Sequence, residues 1–369
     1  MAEEFNNKDY GDYFSAIEKR IEKQNTPSVK AAETIAKTNN KKVYGAVLRL
    51  RPWVYVAAAV IVVAIILLLA LPPKAKAEQE RVNKNSNNVT DVEPEQQAVN
   101  NFAEYTNNTE QIAADIVSEN IIFINCNTNE VVAARNATAR CFPASTTKIM
   151  TVLTAVDYIT DYNKTFTFSY EITDPFYQQE ATMAGFADGE AVNMTDLLYG
   201  AILPSGADAT AGLAISIAGS EQEFVKLMNA KAEELGLRDT HFVNASGLYD
   251  TNHYSTPEDM AVIIRAAMKN ELLRKILSTY EYTTAPTAQN PNGILLTSTL
   301  FKRMYGTEPE GSDIIGGKTG FINESGYCIA SFGKSESETG TEYVCVAFKG
   351  PSVWPAVYDQ INLYTRYAK

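Results

Sequence analysis

The chain has 369 residues, of which 45% are hydrophobic and 10% aromatic, so it can bury a sizeable core and is not globally disordered. Its 32 Lys and Arg residues against 44 Asp and Glu residues give a net charge of −12. This balance argues against general nucleic-acid binding, which needs basic residues in excess. Two histidines, four cysteines and no paired Cys-x-x-Cys motif argue against a dedicated zinc site.

An uncharged apolar run begins at Trp53, ends at Leu71 and is followed by two prolines. A helix of this length roughly spans a hydrocarbon core of about 30 Å, so we expect one transmembrane helix over residues 53–71. The alternative is a cleaved signal peptide, for which Ala75, Lys76 and Ala77 have the small-x-small form of a cleavage site. Because the run is long for a signal sequence and has a long segment before it, an uncleaved anchor is the preferred interpretation.

The segments that flank this run differ in charge. Residues 1–51 contain ten basic and seven acidic groups, whereas residues 101–369 contain 18 basic and 32 acidic groups. We therefore expect residues 1–52 to be a mostly disordered cytoplasmic tail, with the acidic domain on the outer side. Residues 72–110 are polar and poor in large apolar groups, which predicts a flexible linker to a folded domain over residues 111–369.

Hydrophobic periodicity places strands at both ends of this domain and helices between them. The predicted strands are 116–124, 129–134, 313–322, 325–333 and 341–349. Helices are expected after Ser145 and at 195–218, 220–235, 257–269, 271–278 and 354–367. This order predicts an α+β fold, in which an antiparallel sheet is built from both ends of the domain around an inserted helical subdomain.

The first motif that could carry chemistry is Ser145-Thr146-Thr147-Lys148, where a helix is expected to begin. Residues three apart share a helix face, so the Lys148 amine can reach the Ser145 hydroxyl. A lysine with a lowered pKa can activate a serine nucleophile, and the helix N-terminus favours a developing oxyanion. Taken alone, an ordinary N-cap serine followed by a surface lysine is the commoner explanation.

Two further motifs lie downstream. Ser205 and Gly206 follow a proline between two apolar helical runs, which predicts a tight turn that could present the Ser205 hydroxyl to a cleft. Taken alone, an ordinary turn without a catalytic role is the commoner explanation. Lys318, Thr319 and Gly320 follow Gly316-Gly317 but lack the spacing of a phosphate-binding loop. They indicate instead a strand edge that presents an ammonium and a hydroxyl toward an anion, with Gly320 allowing a ligand to approach.

Together and in this order, the three motifs resemble those of penicillin-binding proteins and class A β-lactamases. Specifically, the chain is similar to the low-molecular-mass D-alanyl-D-alanine carboxypeptidases over roughly residues 112–350. Residues 119–151 resemble the opening strand pair and nucleophile helix of that family, residues 235–261 its segment between the second and third motifs, and residues 316–331 its closing strands.

The resemblance implies a β-lactamase/transpeptidase-like fold and an acyl-enzyme mechanism that needs no metal or cofactor. Ser145 would attack the bond between the two D-alanines of a peptidoglycan stem peptide, with Lys148 as the base. Ser205 would relay the proton to the leaving D-alanine, supported by Lys318. β-Lactam antibiotics would acylate Ser145, and the catalytic domain would lie outside the cell membrane as part of a single-pass protein.

The resemblance also implies the substrate-binding positions. Thr319 would bind the terminal carboxylate, and Gly320 would let the backbone of the ligand approach closely. The backbone N–H groups of Ser145 and Phe321 would form the oxyanion hole. At the last position of the second motif, where the family usually has an asparagine that contacts the substrate, this chain has Ala207. Asp208 is one residue too late to replace that asparagine.

Three alternatives remain open at this stage. A β-lactamase on the same fold would need a glutamate for fast deacylation, and no Glu-x-x-Leu-Asn stretch occurs between Ser205 and Lys318. A membrane-tethered β-lactam sensor and an inactive peptidoglycan-binding protein are both compatible with Ala207 and the cytoplasmic tail. The sequence ends soon after the closing strands, so we expect residues 53–71 to take the place of a C-terminal anchor.

Cysteines and histidines give weaker indications. Cysteine pairing is open between disulfides and four buried free thiols, the conceivable pairs being Cys126 with Cys141 and Cys328 with Cys345. His241 and His253 lie in loop-like segments, where a structural or hydrogen-bonding role is expected because Lys148 already provides the base.

Overall fold

The strands come from both ends of the domain in the computed structural model, which describes residues 101–369. They are β1 (Glu104–Gln111), β2 (Asn120–Asn125), β3 (Glu130–Arg135), β4 (Thr165–Thr167), β5 (Ala191–Asn193), β6 (Glu281–Thr283), β7 (Leu295–Thr297), β8 (Ser312–Ile322), β9 (Gly326–Ser335) and β10 (Glu342–Gly350). Six of them form one sheet in the order β1-β3-β2-β10-β9-β8. The sheet is antiparallel except for the parallel β1–β3 pair, and β10 pairs with β2, which joins the two ends of the domain as predicted.

A helical block lies between β3 and β8 in the chain. A 3₁₀ turn (Ala144–Thr146) leads into the first of nine helices within residues 101–369: α1 (Thr147–Tyr158), α2 (Tyr170–Gln178), α3 (Met194–Ile202), α4 (Ala207–Ala218), α5 (Glu221–Glu234), α6 (Pro257–Lys269), α7 (Glu271–Leu277), α8 (Thr299–Met304) and α9 (Val353–Tyr367). The single run predicted over 195–218 is two helices, α3 and α4, separated by the turn that carries Ser205. The mixed α+β class is confirmed.

Alternating side chains of the central strands enter two separate cores. Ile122 and Ile124 of β2 face α1 and the rest of the helical block, whereas Ile121 and Phe123 face α9. Successive side chains of a strand point to opposite faces of its sheet, so a sheet covered on both sides reads as a continuous apolar run. Burial on both faces holds the sheet against α1, the helix that follows Ser145.

The folded domain starts earlier than residue 111, and the predicted extent of the linker over 72–110 is wrong at its C-terminal end. Phe102 is buried, and Glu104–Gln111 forms the edge strand β1. Most side chains of β1 are exposed, and its parallel pairing with β3 depends on backbone hydrogen bonds. The sequence of such a strand does not alternate between apolar and polar residues. Its polar composition therefore indicated a linker.

All four cysteines are free thiols. Cys328 lies on β9 and Cys345 on β10, but Cys345 is paired in register with Ser331. Cys328 belongs to the core beneath the helical block, whereas Cys345 belongs to the core beneath α9. Because the two side chains face opposite sides of the sheet, the Cys328–Cys345 pair is ruled out, and the Cys126–Cys141 pair is not formed.

The membrane-related predictions concern other parts of the chain. The tail over residues 1–52 and the span over 53–71 lie outside the described residues. Between residues 101 and 369 no helix has both the length and the apolar character needed to cross a membrane. Within the same range, no group of His, Cys, Asp and Glu side chains is arranged to hold a metal ion.

Candidate active site

Ser145 sits in the 3₁₀ turn that precedes α1. Ala144 has a left-handed backbone (φ 47°), and the Thr146 hydroxyl donates to the Pro143 carbonyl at 2.6 Å, which holds the turn. The first turns of α1 are buried all round, so the helix is a core element. Ser145 itself is partly exposed, at the point where this buried helix reaches the surface.

Lys148 lies one turn further on and is 2% exposed. Its Nζ donates to Ser145 Oγ at 3.2 Å and to the Ser246 carbonyl at 2.5 Å. Burial lowers the pKa of Lys148 to about 7, against the opposing effect of the Asp208 and Glu221 charges. Near neutral pH a large fraction of Lys148 is therefore an uncharged amine that can accept the Ser145 proton.

The loop at residues 244–248 completes the surroundings of Lys148. The Asn244 side chain accepts from Gly247 N at 2.7 Å and donates to the Leu248 carbonyl at 3.0 Å, which closes a tight turn. Gly247 has φ 79°, and a Cβ there would lie 2.0 Å from the Ala144 carbonyl oxygen. The loop thus packs directly against the turn of Ser145, and only glycine fits at its point of contact.

Ser246 and Gly247 are not among the site residues that the sequence predicts. Both lie in the segment that resembles the family between its second and third motifs. Lys148 contacts a backbone carbonyl of Ser246, so the side chain of that residue gave no chemical signal. The available signal was the Asn-x-x-Gly spacing typical of a tight turn.

The second motif forms the turn between α3 and α4. Ser205 is 6% exposed and has a left-handed backbone (φ 73°), which is rare for a residue with a side chain. Gly206 N donates to the Gly200 carbonyl at 2.9 Å and Ala207 N to the Thr182 carbonyl at 2.8 Å. This turn therefore presents Ser205 in a fixed conformation.

Asp208 has a structural role that the sequence did not indicate. Its buried carboxylate accepts from the backbone N–H groups of Ala184 at 2.8 Å and Gly185 at 2.9 Å. A Cβ on Gly206 would lie 2.6 Å from the same carboxylate. Asp208 thus fixes the segment around residue 184 against the second motif and places a negative charge near Lys148.

The third motif lies on β8 beside the turn of Ser145. A Cβ on Gly320 would lie 2.8 Å from Ser145 N, so the two backbones are in contact. Lys318 is 1% exposed, and its Nζ donates to the Thr319 carbonyl at 2.8 Å. Burial lowers the pKa of Lys318 well below its usual range, and the charges of Lys148 and Arg303 lower it further.

A cavity of about 570 Å³ opens next to Ser145. Ser145, Lys148, Ala207 and Phe321 of the predicted site line it, whereas Ser205, Lys318 and Thr319 are buried in the elements that form its walls. The remaining lining residues are Gln179, Glu180, Ala181, Thr182, Ser246, Gly247, Leu248, Tyr249, Ile322, Asn323 and Glu324. The cavity is large enough for a short peptide end.

His253 supports the first turn of α1. Its Nδ1 accepts from Val243 N at 3.2 Å, so the proton of the neutral ring is on Nε2, which donates to Thr147 Oγ1 at 2.8 Å. Burial lowers the pKa of His253 to about 4, which keeps the ring neutral at physiological pH. His241 is exposed and bonds to the Asn252 carbonyl. Both histidines have the hydrogen-bonding roles expected of them.

A partly exposed serine, a lysine of lowered pKa at 3.2 Å and a second buried lysine meet between an antiparallel sheet and a helical block. This fold and site define the class of low-molecular-mass penicillin-binding proteins, whose members are serine enzymes. The family model for D-alanyl-D-alanine carboxypeptidases (peptidase S11) matches residues 106–347, and the chain belongs to this family.

Individual relatives agree with this assignment. D-alanyl-D-alanine carboxypeptidase DacF of Bacillus subtilis is 34% identical over 59% of this chain and 54% of its own length. A D-alanyl-D-alanine carboxypeptidase of Streptomyces sp. is 33% identical over 56% of this chain and 72% of its own length. The chain thus spans about half of the Bacillus relative and a larger share of the Streptomyces one.

Solved structures show the same fold. The crystal structure of the Streptomyces K15 DD-transpeptidase matches with a TM-score of 0.59 and 27% identity, covering 68% of this chain and 97% of that one. A D-alanyl-D-alanine carboxypeptidase from Mycobacterium tuberculosis matches with a TM-score of 0.57 and 28% identity, covering 66% of this chain and 89% of that one.

Proposed function

We propose that this chain is a serine D-alanyl-D-alanine carboxypeptidase, which removes the terminal D-alanine from peptidoglycan stem peptides and is acylated by β-lactams. The observation that carries the proposal is the buried Lys148 amine at 3.2 Å from Ser145 Oγ, at the wall of a cavity open to solvent. Family membership supports the choice of substrate.

In the first half of the proposed reaction, Lys148 takes the Ser145 proton as Oγ attacks the carbonyl carbon between the two D-alanines. The negative charge that forms on the carbonyl oxygen is bound by the N–H groups of Ser145 and Phe321. Backbone N–H donors of this kind stabilise the oxyanion strongly, because they are already oriented toward it in a site with little water. The proton then passes through the Ser205 hydroxyl to the nitrogen of the departing D-alanine, and the ester on Ser145 remains.

In the second half, water attacks the ester carbonyl and gives up a proton to the neutral Lys148 amine. The ester bond breaks, Ser145 regains its proton, and the shortened peptide leaves. An amine in place of water would give a transpeptidation product by the same steps. Relatives include a Streptomyces K15 carboxypeptidase and a structure described as a DD-transpeptidase. The test therefore includes both water and an amine as acceptors of the acyl group.

Ala207 shapes the proposed site differently from an asparagine. It packs in a small apolar cluster with Phe176 and Ala211, and Leu248 is packed against that cluster. This wall of the cavity offers the substrate an apolar contact in place of a side-chain amide. We infer that the backbone of the peptide is held mainly by the β8 edge.

The location of the enzyme follows from its substrate, which lies outside the cytoplasmic membrane. We propose that residues 53–71 anchor the chain as a single-pass protein with the catalytic domain on the outer side. The uncharged run and the change from a basic tail to an acidic domain support this orientation.

The direct test is D-alanine release by the full chain from an N-acylated L-Lys-D-Ala-D-Ala tripeptide, with and without an added amine acceptor. We expect release by the native chain and none above background from Ser145→Ala. Equal release by both would contradict the proposal, because the reaction would then not depend on the serine. Purified Ser145→Ala with unchanged thermal unfolding is the control for folding.

A further inference from the structure

The backbone of Ala245 is held from two sides next to the amine of Lys148. Its N–H group donates to a carboxylate oxygen of Glu221 at 2.9 Å, and its carbonyl accepts from the Thr151 hydroxyl at 2.6 Å. The following residue, Ser246, supplies the carbonyl that accepts from Lys148 Nζ at 2.5 Å. The position of the amine therefore depends on a backbone that two side chains outside the three motifs hold in place.

Glu221 is the first residue of α5. A carboxylate in the first turn usually stabilises the N-terminus of its own helix, so the sequence gives no sign of another role. The cap of α5 is provided by Ser220, whose hydroxyl accepts from Glu223 N at 3.2 Å. The partly buried Glu221 side chain instead reaches Ala245, 24 residues further along the chain. Glu221 thus joins α5 to the loop that contacts the base.

Helix α5 also holds the start of this segment. The Asn229 side chain donates to the Phe242 carbonyl and accepts from Phe242 N, both at 2.9 Å. Glu221 holds the other end, at Ala245, which is fully buried. A buried N–H group without an acceptor is unfavourable. Loss of the Glu221 contact is therefore expected to shift the loop and the Ser246 carbonyl with it.

The charged and titratable groups that interact with Lys148 come from four parts of the fold: Asp208 on α4, Glu221 on α5, Lys318 on β8 and His253 before α6. Burial lowers the pKa of Lys148, while the charges of Asp208 and Glu221 raise it. The Asp208 carboxylate is bonded to the N–H groups of residues 184–186. Glu221 is the acid bonded to the loop that contacts the amine.

We propose that Glu221 is a positioning residue for Lys148. By binding the Ala245 N–H group, it holds the Ser246 carbonyl in place. That carbonyl in turn keeps the Lys148 amine beside Ser145. The negative charge of Glu221 has a second effect, since it favours the protonated amine and so determines at which pH the base becomes active. The inference rests on the proposed function, which makes Lys148 the base, and adds a residue from outside the motifs.

Three variants separate the contact from the charge. Glu221→Gln removes the charge but keeps an oxygen that can accept from Ala245. Glu221→Asp keeps the charge, but its side chain is one methylene shorter and loses the contact. Glu223→Gln is the matched control, because it removes the same charge from an exposed position in the same helical turn. The rate of Ser145 acylation by benzylpenicillin is followed by intact mass of the full chain from about pH 5 to about pH 9.

The two Glu221 variants should change different parts of the pH profile. Glu221→Gln should move the midpoint of the rise in rate to lower pH by about half a unit and change the plateau rate by less than about threefold. Glu221→Asp should lower the plateau rate about fivefold or more and move the midpoint less than Glu221→Gln does. Glu223→Gln should keep the native profile, and all variants should keep the native thermal unfolding to within a few degrees.

Two results would overturn the inference. A native plateau rate in Glu221→Asp would show that the contact with Ala245 does not position the base, and an equal loss in Glu223→Gln would show that the effect is not specific to Glu221. An unchanged midpoint in Glu221→Gln would remove the effect assigned to the charge.

A second measurement keeps the inference separate from the proposed function. Lys148 lines the catalytic cavity, so its amine is labelled with trace acetic anhydride at each pH and quantified by peptide mass. The labelling midpoint should be lower in Glu221→Gln than in the native chain and in Glu223→Gln. If the native chain is neither acylated nor releases D-alanine, the proposed function fails, and labelling still decides the effect of Glu221 on the amine. If the native chain is acylated and both Glu221 variants behave like it, only the inference fails.

Discussion

Replacing Lys148 by arginine is expected to slow acylation of Ser145 by benzylpenicillin about a hundred- to ten-thousandfold at pH 7.5, the range typical of a lost general base. Arginine keeps the positive charge and the hydrogen-bonding capacity, but its pKa is too high for it to accept a proton. In the native chain burial lowers the pKa of Lys148 to about 7, so its neutral form is well populated at this pH.

The same mechanism fixes the pH dependence. Because the neutral amine is the active form, the native acylation rate should rise as pH increases through about 7 and then level off. Lys148→Arg should lose this rise. Lys226→Arg, at an exposed position on α5, is the control and should keep the native profile. A native rate that falls as pH increases from 6 to 8 would show that the charged lysine is the active form.

Gly320→Ala is expected to lower the acylation rate about a hundredfold or more while leaving the domain folded. A Cβ there would lie 2.8 Å from Ser145 N and 3.0 Å from Thr146 N, and both are backbone atoms that cannot rotate away. The β8 edge must therefore move away from the turn of Ser145. That movement separates the two N–H groups proposed to bind the oxyanion.

Gly316→Ala is the matched control for this effect, since it lies on the same strand. Its Cβ would lie 2.7 Å from the Leu277 carbonyl oxygen and 2.6 Å from the Phe332 ring, which is comparable crowding away from Ser145. Thermal unfolding and acylation rate are measured for both variants. A larger rate loss in Gly316→Ala than in Gly320→Ala would contradict the role given to the contact between β8 and the Ser145 turn.

The central strands and most long helices could be predicted because their apolar residues follow a regular period. β1 could not, since its parallel pairing with β3 uses the backbone and leaves its polar side chains in solvent. The three-residue strands β4 to β7 are too short to show a period. The choice between disulfides and free thiols could not be made from the sequence for a different reason, because strand register decides which face of the sheet each cysteine side chain takes.

The contact between Ser145 and Lys148 could be predicted because both residues lie within one short motif. Ser246 and Asp208 could not, because they act through a backbone carbonyl and through hydrogen bonds to another segment's N–H groups.

The most direct test of the account is the intact mass of the full chain incubated with benzylpenicillin and followed over time. We expect one covalent adduct per chain, located on the peptide that contains Ser145, absent from Ser145→Ala and lost slowly by hydrolysis. Immediate turnover would indicate a β-lactamase, and an adduct that never decays would indicate a sensor. A native chain that gains no adduct, or a Ser145→Ala variant that gains the same one, would contradict the assignment of Ser145 as the nucleophile.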